Sequence, residues 1–183
     1  MSRAVRALAA LTLSTTVALG AVAAGGGAAT AGPRGALPSK AALAEVRAAT
    51  ARYHDVDAAL ADGYVPVSPC ESLPGAGGMG VHYLNPRLAS DLEVVADEPE
   101  VLLYEPRPDG SLRLVGVEWF AADAGQPRPS VLDVPFDGPM AGHSPDMPVH
   151  YDLHAWIWKH NPSGTFAAWN PAVTCEVGPS PHH

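Results

Sequence analysis

The sequence predicts an α+β fold, with one N-terminal helix packed on a curved antiparallel sheet that tends towards a barrel. Three observations carry that prediction. Leu43, Val46, Tyr53, Val56 and Leu60 recur at spacings of three, four and seven, the mark of an amphipathic helix. Apolar runs at 101–105 and 112–120 flank Pro106-Arg107-Pro108-Asp109-Gly110, and an Asp-Gly pair between two such runs signals a hairpin. Residues 150–160 alternate between two kinds of side chain, as a strand does. No succession of βαβ units is present, which excludes a doubly wound fold. An all-β barrel with an accessory helix is the alternative.

Taken in chain order, the first 31 residues read as a signal peptide. Arg3 and Arg6 make a basic start, an Ala/Leu/Val run follows, and Ala29-Thr30-Ala31 is the small-x-small pattern of a cleavage site. The run is rich in Gly, Ser and Thr, so it makes a poor permanent membrane anchor. Residues 32–38 read as a linker, 39–178 as a single exported domain and 179–183 as a tail. About 150 residues is one domain with room for one core. The expected location is secreted or extracytoplasmic.

The helix is expected over 40–62, with Ser39 as its N-cap and Gly63 closing it. His54 lies on its polar side and reads as solvated. Residues 65–80 hold prolines and Gly75, Gly77, Gly78 and Gly80, and read as a loop. Val81-His82-Tyr83 reads as a short strand. In the second hairpin strand Leu112, Leu114, Gly116, Glu118 and Phe120 are expected to share a face, so that Glu118 ends an apolar row. Residues 121–148, including His143, read as a long loop. A turn at Asn161-Pro162-Ser163-Gly164 and a short strand over 165–169 complete the pattern.

Cys70 and Cys175 are the only two cysteines. In an exported chain an even count favours a disulfide. Neither cysteine lies beside a histidine or in a CxxC, which weighs against a metal-binding or catalytic thiol.

The net charge is −8, and loss of Arg3 and Arg6 with the leader takes it to −10. Such a surface repels polyanions, so nucleic acid is excluded as a natural partner and cations are favoured.

The chemistry concentrates in the histidine strand. Taken as a strand throughout, it places His150, Asp152, His154, Trp156, Trp158 and His160 on one face and Tyr151, Leu153, Ala155 and Ile157 on the other. Imidazole and carboxylate together suit a divalent transition metal such as zinc or copper. The candidate ligands are His82, Glu118, His150, Asp152 and His154. Residues i and i+4 of a strand lie about 13 Å apart, so His150 and His154 cannot share one ion. A neighbouring strand must supply the remainder, and His82 and Glu118 are placed to do so. The competing reading is a structural polar network. No GxSxG motif or other nucleophile pattern is present. His182 and His183 read as a solvated tail.

A longer pattern runs from His150-Tyr151-Asp152-Leu153-His154 through Trp158-Lys159-His160-Asn161-Pro162, Gly164, Phe166 and Trp169-Asn170-Pro171 to Cys175. Ala61-Asp62-Gly63-Tyr64 and Gly116-Val117-Glu118-Trp119 precede it. The pattern resembles that of an uncharacterised family of exported bacterial proteins. The resemblance covers most of the segment after the leader and implies a single exported domain. It implies no activity.

The functional expectation is therefore a small exported binding protein with a His/acid site for a divalent transition metal, or for a small ligand. Two alternatives stand beside it. One is a metal-dependent enzyme, a hydrolase or oxygenase. The other is a metal-free recognition module using Trp119, Trp156 and Trp158 as an aromatic platform.

Overall fold

A computed structural model describes residues 37–142 and 147–176. The expected leader, most of the linker, His143, and the tail with His182 and His183 lie outside the described residues. The architecture is α+β, with an open and mostly antiparallel seven-stranded sheet. Among the described residues the sheet does not close on itself, so the expected tendency towards a barrel is corrected.

The helical segment also differs from the expected single rod over 40–62. It is α1 (Lys40–Thr50), a 3-10 turn (Ala51–His54) and α2 (Val56–Ala61). Ser39 caps α1 by accepting from the Ala42 amide at 3.0 Å. The break falls at Asp55, which adopts extended backbone and accepts from the Asp57 amide at 3.0 Å. A carboxylate that offers the backbone such a cap starts a second helix more readily than it continues the first. Gly63, at φ +94°, takes the left-handed position after α2.

The strands are β1 (Val65–Pro66), β2 (Glu71–Leu73), β3 (Gly77–Leu84), β4 (Val101–Pro106), β5 (Leu112–Ala122), β6 (Ser130–Val131), β7 (Val134–Pro135), β8 (Asp137–Met140) and β9 (His150–Ala155). The main sheet runs β1-β3-β4-β5-β9-β8, with β2 added to β3, while β6 and β7 pair separately. Residues 65–80, expected as loop, thus supply two short strands and half of β3. Gly77 and Gly78 lie in that half because the chain near Asn170 crosses directly over them. A Cβ on Gly77 would collide with the Asn170 carbonyl, and one on Gly78 would come within 2.9 Å of Val173. The expected long loop over 121–148 holds β6, β7 and β8. The expected strand over 165–169 is absent; Thr165 instead accepts from the Trp156 amide at 2.9 Å.

Two apolar layers flank the sheet. One contains Val46 and Ala59 of the helices with Leu102, Tyr104, Val117, Trp119 and Leu153 of the strands. Tyr104 donates to the Tyr53 carbonyl at 2.7 Å, and Arg47 Nε donates to the Ile157 carbonyl at 2.6 Å. The other layer contains Val101, Leu103, Val115, Phe120, Trp156 and Val173. The segment after β9 is fastened across this second layer. Lys159 bridges both Glu105 oxygens at 2.6 and 2.7 Å, and Glu105 Oε1 also accepts from the Thr174 amide at 3.1 Å. A Cys70–Cys175 disulfide, with Cα atoms 5.5 Å apart, completes the attachment.

Candidate metal centre

The face of the sheet opposite the helices carries the histidines. In β5 the pairing with β4 shifts, so that Leu103 faces Gly116 and Tyr104 faces Leu114. Val115 is the extra residue of a bulge. The expected common face of Leu112, Leu114, Gly116, Glu118 and Phe120 is therefore corrected. Leu112 and Leu114 pack in the layer that contains the helices, while Val115 and Phe120 belong to the other. Beyond the bulge, Glu118 pairs directly with His154 of β9. His82 pairs with Leu103 of β4, and Leu103 with Gly116. A Cβ on Gly116 would come within 2.9 Å of the Ala155 carbonyl oxygen and 3.3 Å of Leu103 and Trp156, so only glycine fits there.

Three of the five candidate ligands come together. His82, Glu118 and His154 each offer a ligand atom, and the three atoms lie within 4.8 Å of one another. His82 Nε2 stands 3.4 Å from Glu118 Oε2, and His154 Nε2 stands 3.6 Å from the same oxygen. All three residues are buried, Glu118 and His154 to 3% and 2% exposure. Glu118 Oε2 accepts no hydrogen bond among the described residues.

His150 and Asp152 stand apart from this group. His150 is fully buried at the other end of β9, stacked on Phe120 with ring centres 5.1 Å apart. Its Nδ1 lies 3.0 Å from the Pro148 carbonyl, and its Nε2 lies 3.8 Å from Asp152. Phe120 pairs with Asp152 in the sheet, between the Glu118–His154 pair and the Ala122–His150 pair. Asp152 lines the same pocket as the three converging residues without joining them.

The group occupies a pocket of about 810 Å³. Two further residues bear on His82. Ser68 Oγ accepts from the His82 amide at 3.2 Å, donates to the Pro69 carbonyl at 2.8 Å and lies 2.9 Å from His82 Nδ1. With the hydroxyl proton on the Pro69 carbonyl, Nδ1–H is the donor to Oγ, and the neutral ring carries its lone pair on Nε2, facing Glu118. Glu71 Oε1 is 3.8 Å from the same Nδ1. Neither Ser68 nor Glu71 stood out in the sequence; the one available signal was the adjacent Cys70.

Burial pushes the Glu118 carboxyl well above its ordinary 4.5, and the carboxylates of Asp152, Glu71 and Glu100 add to the rise. Burial also raises Glu100, to about 7, although its Oε2 accepts from the Phe120 amide at 3.0 Å. A buried acid surrounded by other acids is a poor anion unless a cation joins it.

The aromatic platform does not form. Trp119 is wholly buried in the layer that contains the helices and donates to the Val95 carbonyl at 3.2 Å. Trp156 lies in the opposite layer and donates to the Ala167 carbonyl at 2.6 Å. The strand ends at Ala155, so the expected alternation does not reach Trp158. That residue packs towards the helices, 4.3 Å from the His54 ring, and donates to Thr50 Oγ1 at 3.3 Å. His160 is exposed.

No protein family, curated protein or solved structure matches this chain. Among the described residues no helix is long and apolar enough to cross a membrane.

Proposed function

We propose that this is an exported protein that binds a divalent transition metal, zinc or copper, through His82, Glu118 and His154. One observation carries the reading: the spacing of the donor atoms. A charge-assisted N–H···O hydrogen bond is about 2.7–2.9 Å long, shorter than either nitrogen–oxygen distance here. A tetrahedral ion with arms of about 2.1 Å sets its ligands about 3.4 Å apart. The distances of 3.4 and 3.6 Å fit that second scale. The Ser68 contact supports the reading, because it leaves the His82 lone pair on the nitrogen that faces Glu118. The leader-like first residues and the disulfide support export.

Binding would ionise Glu118 and release its proton, since a carboxyl must give up that proton to coordinate. A second reading, a metal-dependent hydrolase or oxygenase, is favoured by one feature of the same site. Three protein ligands beside a roomy pocket leave a coordination position for water or substrate.

The test is metal analysis of the chain purified without an affinity tag and with His182 and His183 removed. About one equivalent of zinc or copper is expected, lost in His154→Ala and in Glu118→Gln. Full occupancy in both variants would place the metal elsewhere, and a metal-free protein that takes up no ion would refute the site.

A further inference from the structure

The pocket above the three ligands is much larger than an ion and its waters require. About 810 Å³ lies in the range of small-molecule sites. Its lining combines two chemistries. The apolar part is Leu84, Val101 and Phe120 from the sheet with Val67, Pro86 and Ala89 from the flanking segments. The charged part is acidic: Glu71 and Asp152 line the pocket with the three ligands, and no lysine or arginine does so among the described residues. Phosphates and carboxylates are ordinarily held by such basic side chains. An anionic head would here lie against carboxylates, and a cationic head would face the metal. An uncharged donor is opposed by neither. Imidazole and carboxylate ligands select borderline ions that accept nitrogen readily.

Resting on the metal reading above, the geometry points to a binding site for an uncharged, largely apolar small molecule. It presents one lone-pair nitrogen to the metal and lays its body along Leu84, Val101 and Phe120. The metal supplies the anchor, and burial of the apolar body supplies selectivity.

Cobalt(II) reports on both parts separately, because its visible spectrum appears on loading and changes when a fourth ligand enters. The mature chain carrying His182→Ala and His183→Ala is loaded with cobalt and titrated with 4-phenylimidazole, imidazole and phenylacetate. 4-Phenylimidazole is expected to bind about tenfold to a hundredfold more tightly than imidazole, the gain from burying one phenyl ring. Phenylacetate is expected to bind more weakly than either. Ala89→Phe, which narrows the pocket, should abolish the preference for the larger azole while leaving the cobalt spectrum unchanged. Equal affinity for the two azoles on the cobalt-loaded protein would overturn the ligand class and leave the metal reading standing. Tighter binding of phenylacetate would overturn it in favour of an anion. A chain that shows no cobalt spectrum before any probe is added would remove the metal reading, and this inference with it.

Discussion

Ser68 decides which nitrogen of His82 meets Glu118. Its hydroxyl lies 2.8 Å from the Pro69 carbonyl and 2.9 Å from His82 Nδ1, which turns Nε2 towards Glu118. Ser68→Ala removes that partner and lets the ring turn or change tautomer. Loss of a partner that orients a metal-bound histidine typically costs tenfold to a hundredfold in affinity. We expect a loss of that size in competition with a chelator of known strength, with a stability loss of only about 1 kcal/mol in the metal-free protein. Unchanged affinity would make Ser68 a purely structural contact. His82, Glu118 and His154 were legible in the sequence by their type and by the alternation of their strands. Ser68, Glu71 and Glu100 were not, because each acts through space on a residue from another strand. His150 and Asp152 looked equally good as ligands. That His82, Glu118 and His154 are the three that converge depends on which β5 residue stands opposite each β9 residue, and that register is not written in the local pattern.

At the scale of elements, one inserted residue reorganises the site. The bulge at Val115 turns Leu112 and Leu114 towards the helices while Glu118 keeps its place opposite His154. Counting by twos cannot see such a bulge, which is why the hairpin was legible and the face of its second strand was not. The same holds for Gly77 and Gly78. Their reason is a crossing segment some ninety residues away, about which local turn chemistry says nothing. The disulfide, in contrast, followed from an even cysteine count and the expectation of export alone. It also tethers the site, because Cys70 lies between Ser68 and Glu71, which both contact His82. Replacing both cysteines with serine should cost up to about 4.7 kcal/mol, the chain-entropy value for a loop of about a hundred residues. It should also weaken metal binding, since the segment that orients His82 is released. Urea unfolding and chelator competition on the double variant separate the two effects. Lost stability with unaltered affinity would show that the tether serves the fold alone.

For the whole molecule, the buried acids and the metal predict opposite responses to pH. Glu100 has an ordinary value of 4.5 and a folded value of about 7. Below pH 4.5 it is protonated in folded and unfolded chains alike and has no effect. Between pH 4.5 and 7 the folded chain holds a proton that the unfolded chain has lost, so stability falls as pH rises. At about 1.4 kcal/mol per unit over some 2.5 units, the full cost is about 3–4 kcal/mol above pH 7. Glu118 acts in the same direction, since burial and its acidic neighbours raise it too. The metal-free protein should therefore lose stability between pH 5 and 7.5, and Glu100→Gln should flatten that slope. Metal binding reverses the trend. An ion holds Glu118 in its charged form and needs neutral imidazoles at His82 and His154, so protons compete with it for the ligands as pH falls. At a hundred times its dissociation constant, zinc would add about 2.7 kcal/mol to the folded state. The melting shift on adding zinc should be clear at pH 7.5, shrink at pH 5 and vanish in His154→Ala, with His182 and His183 removed throughout. Equal shifts at the two pH values would show that protons do not compete with the metal in this range, against the expectation.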